Sequence, residues 1–168
     1  TIKYGSYLVQ KRALRSDGSK TLECPLDEVN DTETYIYSAS QLAEVTGLDG
    51  YKVGYADFSM ATKLQSLKLG DVNSTNAHLI NLYLGNNTLL KTLDVRNCPN
   101  LGIGADEEGT VQTDVDLSGC TNIEHIYFDG TSVKSVSLPV GGIIKTLHLP
   151  GTITGLTVRN QSAITDFV

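Results

Sequence analysis

The chain is short of basic charge, of long apolar runs and of the short motifs that carry chemistry. Acidic residues outnumber Lys and Arg 19 to 13, for a net charge of −6. Such a surface repels phosphate backbones, which argues against nucleic acid as a partner. No window of about 18 apolar residues exists, so no membrane insertion is expected. The cysteines are Cys24, Cys98 and Cys120, with no C-x-x-C pair; neither a disulfide framework nor a zinc site follows. No serine sits in a G-x-S-x-G elbow, and the glycine runs GLDGYKVG and GGII lack the P-loop spacing. No secretory leader opens the chain. Thr1 and a final ITDFV that stops within a repeat give the expectation of a segment excised from a longer protein.

What the chain does have is one apolar template, repeated. Residues 79–101 read LINLYLGNNTLLKTLDVRNCPNL and contain it twice: Leu79, Leu82, Leu84, Asn87, Leu90, then Leu90, Leu93, Val95, Cys98, Leu101. The physical reading is a short strand at L-x-L, a tight turn whose small polar residue bonds the backbone, and a return to the core. One unit cannot bury its own apolar face, so neighbours must stack. The predicted fold class is therefore a right-handed repeat solenoid, mainly β, with short strands in parallel ladders.

The second apolar position of each unit marks its place. Alternate markers form two series: Leu67, Leu93, Val115, Val136, Leu156, and Ala56, Leu82, a gap near 104, Ile126, Leu147, Phe167. This predicts coils of 20–22 residues with a strand on each side and one degenerate unit at LGIGADEEGT. Pro139 and Pro150 mark strand ends, since proline cannot donate to a ladder. Residues 1–50 carry no repeat and read as a leader and N-terminal cap, with residues 51–168 as the solenoid. In the cap, residues 2–9 alternate weakly and Tyr35, Ile36 and Tyr37 suggest strands. Ser38 with Gln41 fits a capping box, and Gly47 a stop, so a short capping helix is predicted over residues 39–46.

These units resemble the leucine-rich-repeat family over about residues 53–168. The segments YIYSASQL, YADFSMATKLQSLKLG, VDLSGCTNIEHIYFDG and GGIIKTLHLPGTITGLTVRNQ look like repeat segments of phage and prophage tail-associated structural proteins, and share their pattern with bacterial surface adhesins. The resemblance implies a non-enzymatic structural or binding segment of a virion tail or extracellular surface protein. Expected partners are a protein or surface glycan of a bacterial host and other virion proteins. It implies no cofactor and no catalytic residues. A polysaccharide-degrading enzyme on the same scaffold is the weaker alternative, since its paired carboxylates need not be close in sequence.

On an L-x-L strand the leucines point inward and their neighbours outward. With the two series above, one outward face is small and acidic, with Asp94, Asp114 and Asp116 near Asp106, Glu107 and Glu108. The other carries Asn81, Tyr83, His125, Tyr127, Thr146 and His148. Aromatic rings beside amide and imidazole groups suit a sugar or a partner protein, so Asn81, Tyr83, His125, Tyr127 and His148 are the candidate binding residues. The acids match neither an EF-hand nor the calcium nonapeptide repeat, and His78, His125 and His148 lack a further ligand, so no metal is expected. Cys98 and Cys120 share a template position and are expected to stack in adjacent turns as buried thiols, with a disulfide between them as the alternative.

Overall fold

A computed structural model describes the backbone of residues 2–4, 7–9, 34–37 and 44–45, and of residues 53–168 apart from 60, 61, 74 and 107; side chains are described from residue 54 onward. Regular structure in the described residues is entirely β. The strands are β1 (Ile2–Tyr4), β2 (Tyr7–Val9), β3 (Thr34–Tyr37), β4 (Glu44–Val45), β5 (Val53–Asp57), β6 (Ser66–Lys68), β7 (Asn81–Tyr83), β8 (Thr92–Asp94), β9 (Asp114–Asp116), β10 (His125–Tyr127), β11 (Ser135–Ser137), β12 (Thr146–His148), β13 (Gly155–Thr157) and β14 (Asp166–Phe167). The expected helix is replaced at Glu44 and Val45 by β4, which pairs with β6; the rest of residues 39–46 lies outside the described residues.

Among the described residues three sheets form, in the orders β2-β1-β3-β5-β7, β4-β6-β8-β10-β12-β14 and β9-β11-β13. The β1 pairings are antiparallel and all others are parallel. From β3 onward, odd-numbered strands fall in the first and third sheets and even-numbered strands in the second. The chain thus changes sheet after every strand.

This alternation corrects the expected columns. Leu93 stands opposite Ile126, not in a column with Val115. The even ladder runs Leu67, Leu93, Ile126, Leu147, Phe167, in steps of 26, 33, 21 and 20 residues. The 20–22-residue period holds for the last two of these steps, for Val45 to Leu67 before them, and for Val115, Val136 and Leu156 in the third sheet; the steps of 26 and 33 depart from it. The 22 residues between Leu93 and Val115 do not hide a missing rung. They hold an insert, because the chain needs one crossing there, not two. Its tip is an antiparallel bridge, Ala105 to Val111. Asp106 Oδ1 closes the turn by accepting the Glu108 and Thr110 N–H groups at 3.1 and 2.8 Å.

The core follows from the template. Strand centres and the residues three before and two after them are buried: Leu64, Leu67 and Leu69; Leu79, Leu82 and Leu84; Leu90, Leu93 and Val95; Ile123, Ile126 and Phe128. Each such side chain contributes about 1.5–3 kcal/mol by leaving water. The residue five after the centre feeds the turn carbonyls: Asn87 Nδ2 donates to Phe58 O and Leu84 O at 2.8 and 2.7 Å, and Thr131 Oγ1 to Phe128 O at 2.9 Å. Exposure rises toward the final rung, where Phe167 is 62% exposed.

Candidate functional site

The five predicted binding residues do not share a face. Asn81 and Tyr83 lie on β7 of the first sheet; His125, Tyr127 and His148 lie on β10 and β12 of the second. The reason is the single crossing between β8 and β9, which puts Asp94 in one file with Tyr127 and His148.

On the even ladder these side chains serve one another. Arg96 Nε and Nη2 donate to Asp94 Oδ1 and Oδ2 at 3.0 and 2.5 Å. Its guanidinium covers the Tyr127 ring at 4.6 Å. The Asp94 hydrogen bonds raise the Arg96 pKa, keeping the guanidinium charged. Tyr127 meets His148 edge-on, with ring centroids 5.1 Å apart. His148 Nδ1 and Nε2 lie 3.1 and 3.2 Å from Asp129 and Asp166. His125 Nδ1 is 3.1 Å from Thr146 Oγ1. This face joins successive rungs through its own side chains, and a ligand would have to displace those contacts.

The odd-numbered strands are arranged differently. The first sheet ends at β7 and the third begins at β9. Where a continuous ladder would place β9, the Gln112 side chain takes over. Its Oε1 accepts the Leu82 N–H at 2.6 Å, and its Nε2 donates to Leu82 O at 2.8 Å. One amide thus supplies both partners that a neighbouring strand would supply. Gln112 occupies the leading template position, three before Val115, where the other units carry an apolar residue.

Along this break runs an open crevice of about 610 Å³, lined from β5, β7 and β9 and by Thr110 and Val111 of the insert. The insert makes this crevice by supplying its wall at Thr110 and Val111. Tyr55 and Tyr83 form its aromatic wall, 5.4 Å apart and tilted by 41°. Tyr83 is 39% exposed. Asn81 is buried behind it, and its Nδ2 donates to Tyr83 Oη at 3.2 Å, so Asn81 orients the ring. Its Oδ1 is buried without a hydrogen bond.

Asp57, Asp114 and Asp116 form the acidic wall. Asp57 Oδ1 and Asp116 Oδ1 each accept the N–H two residues on, at 2.8 Å. Asp114 Oδ1 accepts from Thr113 Oγ1 at 2.9 Å. Among the described residues, the second oxygens of these three carboxylates make no hydrogen bond. No Lys, Arg or His among the described residues lines the crevice.

Tyr55, Asp57 and Gln112 were not singled out as site residues from sequence. The available signal was the polar Gln112 at a leading template position, together with the 22-residue step from Leu93 to Val115. No group of three or more His, Cys, Asp or Glu that could hold a metal ion occurs among the described residues. Cys98 and Cys120 are both buried, but they follow β8 and β9, in different sheets, and so do not stack in one column. Burial pushes the Cys120 thiol up to about 11. Cys24 lies outside the described residues. No family model matches this chain, and no curated protein or solved structure does either.

Proposed function

We propose that the chain is a leucine-rich-repeat-like, right-handed solenoid acting as a non-enzymatic binding segment of a larger virion-tail or extracellular protein. The strict alternation of strands between ladders supports the winding. The polar side chains that hold turn carbonyls support the repeat type. The observation that carries the binding reading is the crevice beside β7, where aromatic and polar side chains face an open cavity instead of being tied across rungs. Its volume falls in the range of about 300–1,000 Å³ usual for ligand sites.

The virion setting rests on the repeat segments quoted above, and the adhesin setting is its alternative. Antibody raised to this segment is expected to decorate tails of induced virions from the source organism. Decoration of the cell envelope alone would replace the virion setting with the adhesin one. Saturable binding of the intact protein to host envelope fractions is the expected functional result, and none would overturn the binding reading.

The crevice also favours a second reading, because it brings carboxylates from β5 and β9 to one groove, as a polysaccharide-degrading enzyme requires. Chromatography of incubated polysaccharides decides: products that disappear with Asp114→Asn would make the chain an enzyme.

A further inference from the structure

We propose that the crevice between β7 and β9 binds an uncharged glycan chain, with Tyr83 as its stacking platform. This rests on the binding reading above and adds the ligand class.

Three properties of the crevice select that chemistry. The first is the half-exposed Tyr83 ring, held from behind by the Asn81 amide and from the side by Tyr55. A pre-oriented aromatic face suits the apolar C–H face of a pyranose, and little ordering remains to be done on binding. The second is the set of acceptors: each carboxylate of Asp57, Asp114 and Asp116 spends one oxygen on its own turn or neighbour. The oxygen left over points the chemistry toward hydroxyl donors, which a sugar carries in number. The third is that none of the described lining residues is cationic. An anionic sugar, a phosphate or a sulfate would meet three carboxylates with nothing to neutralise it.

The same carboxylates would attract a lysine-rich peptide. The aromatic wall favours the glycan, since a pair of tilted rings with one exposed face offers a platform and not an enclosing cage. On the even ladder the half-buried Tyr127 ring is already covered by Arg96 and flanked by His148, and the exposed ring, Phe167, lies on the final rung away from the crevice.

The test uses the whole chain and three kinds of probe: short neutral oligosaccharides of glucose, mannose, galactose and N-acetylglucosamine, an oligogalacturonate, and oligolysine. Binding is read by calorimetry and by the Tyr ring signals in NMR. At least one neutral series is expected to bind and to shift the Tyr83 signals. Tyr83→Ala should weaken it about tenfold or more, equivalent to about 1.4 kcal/mol, whereas Tyr83→Phe keeps most of the affinity. Tyr127→Ala, on the other ladder, leaves it unchanged, and thermal melts confirm that all variants fold. Oligolysine binding without any neutral saccharide overturns the glycan assignment and leaves the binding reading standing. Preference for oligogalacturonate overturns the charge argument and the assignment with it. If no probe binds while host envelope fractions do, the glycan assignment alone falls.

Discussion

Replacing Gln112 with Met removes an amide but keeps its length. In the native chain that amide closes two hydrogen bonds to Leu82, at 2.6 and 2.8 Å. Leu82 is buried at the edge of the first sheet. A backbone hydrogen bond contributes about 0.5–1.5 kcal/mol net, and leaving a buried partner unmade costs about 1–3 kcal/mol. Two such groups, if fully sealed, would cost up to about 6 kcal/mol. The crevice is open, so water can reach part of this edge, and about 1–3 kcal/mol is expected in all. For a chain of 168 residues that lowers Tm by roughly 2–10 °C. The same variant should accelerate hydrogen exchange at the Leu82 amide selectively, leaving that of Ile126 in the uninterrupted ladder as it was. Gln112→Glu should not rescue, because a carboxylate accepts the Leu82 N–H but has no donor for Leu82 O. An unchanged Tm together with unchanged Leu82 exchange in Gln112→Met would refute the idea that this side chain stands in for a strand.

Other perturbations probe the core and the even ladder. Leu93→Ala is expected to cost about 2–5 kcal/mol in chemical denaturation, since Leu93 is a fully buried strand centre; an unshifted midpoint would contradict its place in the core. Arg96→Met strands the Asp94 carboxylate, only 3% exposed, without its bidentate partner. A loss of roughly 2–4 kcal/mol is expected, somewhat below the ~3–5 of a fully buried pair because Arg96 keeps 25% exposure. For Cys120 the folded pKa is raised above the ordinary thiol value to about 11. The unfolded chain therefore ionises first, and stability falls as pH rises above the ordinary value near 9; Cys120→Ala should flatten that alkaline decline. Lys145→Met should return the lowered Glu124 carboxyl toward its ordinary range, read by NMR titration, because the Lys145 hydrogen bond is the main cause of the shift.

Strand positions were legible because the template is written in apolar residues. Each strand from β6 to β13 is three residues long and centred on a marker read from the sequence: Leu67, Leu82, Leu93, Val115, Ile126, Val136, Leu147 and Leu156. The turn chemistry at Asn87 was legible for the same reason, since a small polar residue in an apolar repeat has few roles. What was not legible was the side to which each strand belongs. A step of 22 residues is compatible with one long crossing or with two short ones and a missing strand. Composition does not choose between them; the pairing of Leu93 with Ile126 does.

That choice governs the site. The sequence by itself determined the rungs, the buried leucines and the polar turn positions, because each is a local matter of period and side-chain size. Only the tertiary structure decided which outward residues meet. It took Asp94 away from Asp114 and set it under Arg96 beside Tyr127, and it brought Asp114 and Asp116 to the crevice of Tyr83. The physical reason is the insert between β8 and β9. It lets the ladder of odd-numbered strands part while the even ladder stays closed, and Gln112 satisfies the edge that is left. A crevice arises where two hydrogen-bonded edges cannot pair, and pairing is a property of the whole chain, not of any repeat within it.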